Sequence, residues 1–157
     1  MPNHQRIAAL PNQKFVVFIV GMRFNQLWAM HKWLPVVIAM GKMLSELMRH
    51  PELGLIGKPR SFLSGRLLQV QSYWSSYDQL EEFAGSQANE HLPAWKSFNQ
   101  KSRGNTSVGI FHETYVVDGP TYEAIYVNVD QPILLGAAIG VAEIAKTSNT
   151  SRQRLQS

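Results

Sequence analysis

The sequence contains no cysteine among its 157 residues, and this absence removes several kinds of chemistry. Disulfide bonds, thiolate metal sites and cysteine nucleophiles are excluded, and the composition fits a reducing compartment. Long hydrophobic runs are absent too, since 15–20 and 132–141 are shorter than the roughly 20 residues that span a bilayer. The first residues lack the charged-then-apolar order of a secretory signal. We therefore expect a cytoplasmic protein with no membrane partner.

Charge of either sign is scarce, at 17% of the residues, and the net charge of +4 is spread along the chain. Nucleic-acid binders usually concentrate basic residues on one face, so we expect no nucleic-acid partner. P-loop, GxGxxG and GxSxG motifs are absent. A hydrophobic content of 45% is nonetheless sufficient for a sizeable core.

The hydrophobic pattern predicts one α+β domain between two extensions. Residues 1–13 are polar and carry two prolines, which favours an N-terminal arm. Residues 14–130 form the predicted domain. Residues 131–157 form a C-terminal extension, with a short helix over 132–146 and a polar end that we expect to be disordered.

Within the domain, the order strand, helix, strand, strand, helix, strand is typical of ferredoxin-like βαββαβ folds. A fifth strand is predicted at 122–129, after a turn at Gly119-Pro120. The predicted elements before it are a strand at 14–22, a helix at 33–50 with Pro35 in its first turn, a hairpin of 53–63 and 66–74, helical segments after Ser75 or Ser76 and at 92–101, and a strand at 108–117.

Such a sheet carries its helices on one side and leaves the other side open. The predicted strands are apolar on that side as well, and an uncovered apolar sheet promotes aggregation of a monomer. Two copies can pack their sheets face to face into a barrel-like core. Alternatively, the fifth strand and the C-terminal helix cover the open side within one chain. We favour the homodimer, because symmetric pairs are the commonest oligomers.

One segment of the last domain strand alternates polar and aromatic side chains. The strand period places His112 and Thr114 on one face. The other face then carries Phe111, Glu113 and Tyr115. Polar groups among large apolar ones favour a shaped pocket over plain core.

Two histidines are candidate catalytic residues, because imidazole changes charge near neutral pH. His91 precedes a predicted helix and is either a pocket ligand or general base, or a helix cap. His112 either hydrogen-bonds the substrate or relays a proton, or it is a core histidine whose hydrogen bonds are made within the protein. Glu113 beside it is the third candidate catalytic residue. It requires a partner if it is buried, and Arg23 or Arg66 is the predicted one.

Aromatic residues supply the candidate walls of a pocket. Trp74 and Trp95 suit a flat apolar substrate, together with Phe111 and Tyr115, although tryptophan is more often a core residue. Tyr126 offers a phenolic donor, with a half-buried strand tyrosine as the alternative.

Two polar residues follow the first domain strand. Arg23 and Asn25 stand where loop residues can reach a ligand, and we expect them to contribute to substrate binding. The alternative for Arg23 is a contact with a helix end.

An ordered set of short motifs resembles a monooxygenase-like family of the dimeric α+β barrel superfamily, which also holds the antibiotic-biosynthesis monooxygenases. The motifs together cover about residues 14 to 130. They are GMRFN (21–25), HKWLP (31–35), PELG (51–54), YWSSY (73–77), HLPAW (91–95), HETY (112–115) and YEAIY (122–126).

This resemblance implies the ferredoxin-like fold, a pocket between sheet and helices, and a small oxygenase that uses molecular oxygen. The expected substrate is an apolar secondary metabolite, deprotonated by His91 or His112 in a pocket that excludes water. Related barrel families use no cofactor or bind haem. We expect no cofactor. The alternative is a haem enzyme, in which His91 would be the axial ligand because it is nearest in position to the axial histidine of the haem-binding relatives. A non-catalytic binder of small molecules is the third possibility.

Overall fold

Two antiparallel sheets, one large and one small, organise the molecule. The computed structural model describes residues 6–85, 93–144 and 150–155, apart from the side chain of Trp95. The strands are β1 (Arg6–Ala9), β2 (Phe15–Phe24), β3 (Leu55–Ser64), β4 (Leu67–Trp74), β5 (Val108–Val117), β6 (Ile125–Val127) and β7 (Val141–Glu143). The helices are α1 (Met30–Met48), α2 (Tyr77–Ala84), α3 (Pro93–Ser102), α4 (Leu134–Ile139) and α5 (Ser151–Leu155), with a short 3-10 helix at Pro51–Leu53.

The large sheet has the strand order β3-β4-β2-β5, and every neighbouring pair in it is antiparallel. In the chain, α1 connects β2 to β3, while α2 and α3 lie between β4 and β5. This order and connectivity define the ferredoxin-like βαββαβ fold, as the sequence predicts. The observed β5 has the predicted bounds, and β2 runs two residues beyond the predicted end.

The central strand β2 is apolar on both faces, because the helices cover one face and the small sheet covers the beginning of the other. Its even-numbered residues join the core under the helices, where Phe18 and Met22 pack with residues of α1. Its odd-numbered residues Phe15 and Val17 point to the other side and join a second cluster with the small sheet. Near-continuous hydrophobic sequence is the usual mark of a strand covered on both faces.

Helix α1 supplies most of the cover on one side of the large sheet. It begins at Met30, three residues before its predicted start, so Pro35 lies inside the helix and its placement in the first turn was wrong. The buried stripe follows the helical period and consists of Val36, Ala39, Met40, Met43 and Leu47.

Helices α2 and α3 are each fixed by a hydrogen bond at the first turn. Ser76 caps α2, since its Oγ accepts the backbone N–H of Gln79 at 3.2 Å. At α3, the backbone N–H of Ala94 donates to the Glu46 carboxylate at 3.1 Å. An anion suits a helix N-terminus, so this bond joins α3 to α1 with favourable electrostatics. We call α1 and α3 together the helix layer.

The small sheet has the order β6-β1-β7, and the sequence did not predict it. Residues 6–9, expected in a polar arm, form its central strand. The predicted strand at 122–129 is shortened to Ile125–Val127 and pairs with β1 rather than with the large sheet. The C-terminal extension contributes α4, β7 and, where disorder was expected, α5.

The small sheet covers only one end of the large sheet's open side. There, Phe15 makes edge contacts with Tyr73 and Tyr122, at ring distances of 6.1 and 4.8 Å. At the other end, Phe62 and Leu67 remain 41% and 40% exposed, and Tyr115, on the edge strand in the row of Val17, is 52% exposed. We call this uncovered end, which also includes Ile19 and Phe111, the open half-face. The sequence left open that the fifth strand and the C-terminal helix cover the open side of the sheet within one chain. The structure shows such cover for one half of that side.

The packing of Phe111 on Gly21 leads to a first prediction. A Cβ at Gly21 would lie 2.6 Å from Phe111 Cζ and 2.7 Å from the Leu68 carbonyl oxygen, so Gly21→Ala should destabilise the fold by about 1–3 kcal/mol. Gly41→Ala is the matched control, because nothing lies within 4 Å of a Cβ there, and it should stabilise the exposed helix by about 1 kcal/mol. Denaturant unfolding measures both, and equal stabilities would contradict this packing.

Candidate functional site

The helix layer covers the central strands of the large sheet and leaves part of the edge strand β5 uncovered. Five β5 residues face the helix side. Val108 among them is buried in the core, and we call the other four the β5 strip: Ile110, His112, Thr114 and Val116. Ile110 is 41% and Val116 is 64% exposed. Their neighbours across the ladder to β2, Met22 and Val16, are 0% and 1% exposed. The β5 strip thus borders the core and is open on its outer side.

His112 lies in the middle of this strip and is exposed. Its ring centroid lies 6.1 Å from that of Phe18, with the two ring planes tilted by 40°. The imidazole therefore has an apolar ring behind it and open space in front. An apolar molecule resting on Ile110 and Val116 would contact a group that can accept or donate a proton.

Ile110 and Val116 are additions to the residues singled out by sequence. Strand alternation placed both on the same face as His112, and this was the signal available. The missing information was their exposure, which depends on how far the helix layer extends over the edge strand.

The opposite face of β5 carries Phe111, Glu113 and Tyr115, as alternation predicts. The Tyr115 hydroxyl donates to Glu113 Oε2 at 2.6 Å. This hydrogen bond and the nearby negative charge raise the pKa of Tyr115 above its ordinary value. The predicted arginine partner is not observed within the described residues, where exposed Glu113 has the Tyr115 hydroxyl instead.

Arg23 and Asn25 form a structural network at the end of β2. Arg23 Nη1 donates to Asn25 Oδ1 at 3.1 Å, and Asn25 Nδ2 donates to the Thr106 carbonyl at 3.2 Å. Arg66 Nη1 reaches the Asn25 carbonyl at 3.5 Å. These bonds tie the β3–β4 turn and the loop before β5 to the end of β2. A role of Arg23 and Asn25 in substrate binding stays a prediction.

Trp74 occupies the core beneath the helices, with 0% of its surface exposed. Its indole N–H donates to Ser72 Oγ at 3.0 Å, and its ring lies 5.0 Å from that of Phe83. It faces the helices beside Val16, whereas Phe111 and Tyr115 face the other side of the sheet. The prediction that these three aromatic residues line one pocket is therefore wrong for a single chain.

The remaining candidate site residues lie away from the β5 strip or outside the residues that the structure describes. Tyr126 is buried in the small-sheet cluster, and its hydroxyl accepts the backbone N–H of Gly136 at 2.8 Å. His91 lies outside the described residues, as does the side chain of Trp95, so their predicted roles remain predictions. No group of three or more histidine, aspartate or glutamate residues able to hold a metal ion occurs in the described ranges.

The strand order, the register and the helix layer assign the chain to the ferredoxin-like class of α+β proteins. A family model described as Monooxygenase af470-like matches residues 15–135, which include the whole large sheet. The chain belongs to this family.

A curated relative, Monooxygenase af470 of Aspergillus fumigatus, is 35% identical over 96 residues, which are 57% of this chain. The chain spans about a third of that relative's length, with 32% covered.

Solved structures share the general arrangement at low identity. SnoaB from Streptomyces nogalater, described as a cofactor-independent oxygenase, is 10% identical with a TM-score of 0.45, over 66% of this chain and 93% of its own. A nipsnap family protein of unknown function from Agrobacterium tumefaciens is 22% identical with a TM-score of 0.37, over 70% and 91%. These similarities are weak, so the fold assignment rests on this chain's own strand order.

The Tyr115–Glu113 contact leads to a second prediction, which concerns pH. Because the folded-state pKa of Tyr115 is raised, its contribution to stability should be present below the ordinary tyrosine pKa and lost as pH rises through the folded value. Glu113→Gln removes the charge and should return the pKa toward its ordinary range. Absorbance titration of the phenolate follows the change, with Tyr115→Phe identifying the signal. An unchanged pKa in Glu113→Gln would contradict the contact.

Proposed function

We propose that this chain is an oxygenase unit that binds an apolar, electron-rich metabolite on the β5 strip and oxidises it with molecular oxygen. The family match over residues 15–135 is the observation that carries the proposal. The activity of the curated relative belongs to a longer protein, of which the match covers 32%, so its substrate is not transferred to this chain.

The composition of the strip supports an apolar substrate. Ile110 and Val116 offer exposed aliphatic surface on either side of His112, and the Phe18 ring closes the inner side. Apolar surface around a few placed polar groups is the usual make-up of small-molecule sites. Thr114, on the same face, adds a hydroxyl that can hydrogen-bond a substrate oxygen.

The proposed reaction begins with proton transfer from the substrate to the His112 imidazole, which leaves an electron-rich anion. The anion passes electrons to molecular oxygen and forms a carbon–oxygen bond. For a methylene carbon, both hydrogens leave with one atom of dioxygen as a molecule of water, and the other oxygen atom becomes the carbonyl oxygen of a ketone. The substrate thus supplies all four electrons that reduce the dioxygen. No reductant is required, and we propose that the reaction uses no cofactor. The description of SnoaB is compatible with this chemistry but is not the basis for it.

A third prediction tests the role of His112. His112→Gln keeps a hydrogen-bonding group but removes the base, so we expect oxygen consumption with an electron-rich phenol to fall by about 10²–10⁴-fold. His50→Gln is the matched control, because His50 lies outside the strip and pairs with Glu52. Oxygen-electrode rates under aerobic conditions, with an anaerobic blank, provide the measurement.

Two outcomes would contradict this proposal. The first is an absence of oxygen uptake by the unchanged protein across a broad panel of phenols. The second is full activity in His112→Gln. A Soret band on adding haemin, lost when His91 is replaced, would instead favour the haem alternative, which uses no described residue as its axial ligand.

We also propose that two copies associate through the open half-face. Phe62 and Phe111 lie in one row across the sheet, through Gln69 and Gly21, and aromatic residues dominate the centres of protein interfaces. The small sheet covers the other end of the same side, so the contact would involve only this half of the sheet. The proposed homodimer interface would therefore bury a smaller part of the sheet than the closed barrel expected from the sequence.

A fourth prediction tests this association. Phe62→Arg places a charge in the proposed interface and should convert a dimer into a monomer in analytical ultracentrifugation. Val127→Arg is the control, because Val127 is 58% exposed on β6, outside the open half-face. A monomeric unchanged protein at micromolar concentration would contradict the homodimer, as would a dimer unaffected by Phe62→Arg.

A further inference from the structure

Helix α1 is apolar on its outward side as well as on its buried side. Leu34 and Ile38, opposite the buried stripe, are 41% and 49% exposed, and Met30 and Met48 near its ends are 55% and 49% exposed. Trp28, just before the helix, is 78% exposed. We call these five residues the α1 strip. A helix that is apolar all round is normally buried, so its exposed outer side requires a cover.

The spacing of the α1 strip makes it continuous along the helix. Met30, Leu34 and Ile38 follow each other at intervals of four residues, so their side chains line up on one face. Gly41 and Ser45 continue this line toward Met48 with small side chains. The strip thus runs the length of a 19-residue helix.

The charges around the strip are mostly positive, although exposed Glu52, in the 3-10 helix that contacts α1, pairs with His50. Residues 27–50 contain a single carboxylate, Glu46, which is half-buried and accepts the Ala94 N–H. α3, packed beside α1, contains no acidic residue. The exposed cations of the helix layer and its ends are Lys32, Lys42, Arg49, Lys96, Lys101 and Arg103. The acidic residues of α2 lie beside β4 and the 3-10 helix instead.

We propose that the α1 strip binds the surface of an anionic lipid bilayer, with the helix lying in the plane of the interface. Apolar side chains that include a tryptophan, flanked by lysine and arginine, are the composition of interfacial helices. The apolar side chains would enter the acyl boundary, while the long basic side chains extend to the lipid phosphates. No helix in the described ranges is long and apolar enough to cross a membrane, so the association would be peripheral.

Charge argues against a second copy of the chain as the cover. Two identical α1 strips packed together would bring lysine and arginine from both copies close to one another, where these cations outnumber the nearby carboxylates Glu46 and Glu52. An anionic lipid surface attracts the same lysine and arginine side chains. Each of these cations near the surface increases the affinity of the protein for the bilayer by about fivefold.

The experiment compares the complete protein on two kinds of vesicle. One kind is pure phosphatidylcholine, and the other contains about one third phosphatidylserine. We expect co-sedimentation with the anionic vesicles only, weakening with added salt. Brominated acyl chains should quench part of the tryptophan emission, and Trp28→Phe should remove that quenching.

Substitutions separate the two parts of the proposed surface. Leu34→Ser combined with Ile38→Ser should lower vesicle affinity by about a hundredfold, since both side chains lose their apolar contact. Lys42→Gln combined with Arg49→Gln should lower it by roughly twentyfold. Val127→Ser, at a similar exposure on the small sheet, is the control and should bind normally. Circular dichroism checks that each variant is folded.

Three results would overturn the proposal: no binding to anionic vesicles, binding that survives Leu34→Ser with Ile38→Ser, or equal binding to neutral vesicles. A self-association that the same double variant abolishes, with no vesicle binding, would assign the strip to a second copy. Because the experiment does not use enzyme activity, its result is independent of the proposed oxygenase function.

Discussion

The register of β2 with its two neighbours is the constraint on which the structure depends. Val20 pairs with Val70 on one side and with His112 on the other. Since side chains alternate along a strand, a shift of one residue would move Phe18 and Met22 from the core to the open side. A shift of β5 by one residue against β2 would likewise turn His112 away from the helix side. The placement of the candidate base is thus a consequence of the hydrophobic pattern of β2, which is buried on both faces.

The sequence predicted the large sheet well because its signals are local. The strand 108–117 was located correctly, and its alternation assigned His112 and Phe111 to opposite faces. The small sheet was missed because its signals are not local. β1 has four residues, and its partners are Ile125–Val127 and Val141–Glu143, more than a hundred residues away in the chain. Pairing at such separation leaves no periodicity that a short window can detect.

The candidate site was predicted less well, because it depends on exposure rather than on residue type. Trp74 was a candidate pocket wall, although its residue type favoured the core, and the structure buries it there with a hydrogen bond to Ser72. Val116 was not a site candidate from the sequence, and it is 64% exposed because the helices do not extend over it. Alternation determines which residues share a face, but the coverage of that face follows from tertiary packing.

The α1 strip and the open half-face lie on opposite sides of the large sheet, and this separation limits how the molecule can assemble. Charges of both signs border the open half-face, since Arg60 and Glu113 lie in the row of Ile19 across the sheet. The α1 strip has only cations around it among the described residues of α1 and α3, apart from the half-buried Glu46. Contact of two sheets would leave both α1 strips on the outside, facing away from each other. A flat bilayer could then contact only one of the two α1 strips at a time, so a dimer would bind a membrane through one chain. The β5 strip shares no residue with the α1 strip or with the open half-face, so the proposed oxygenase site requires neither surface to be occupied.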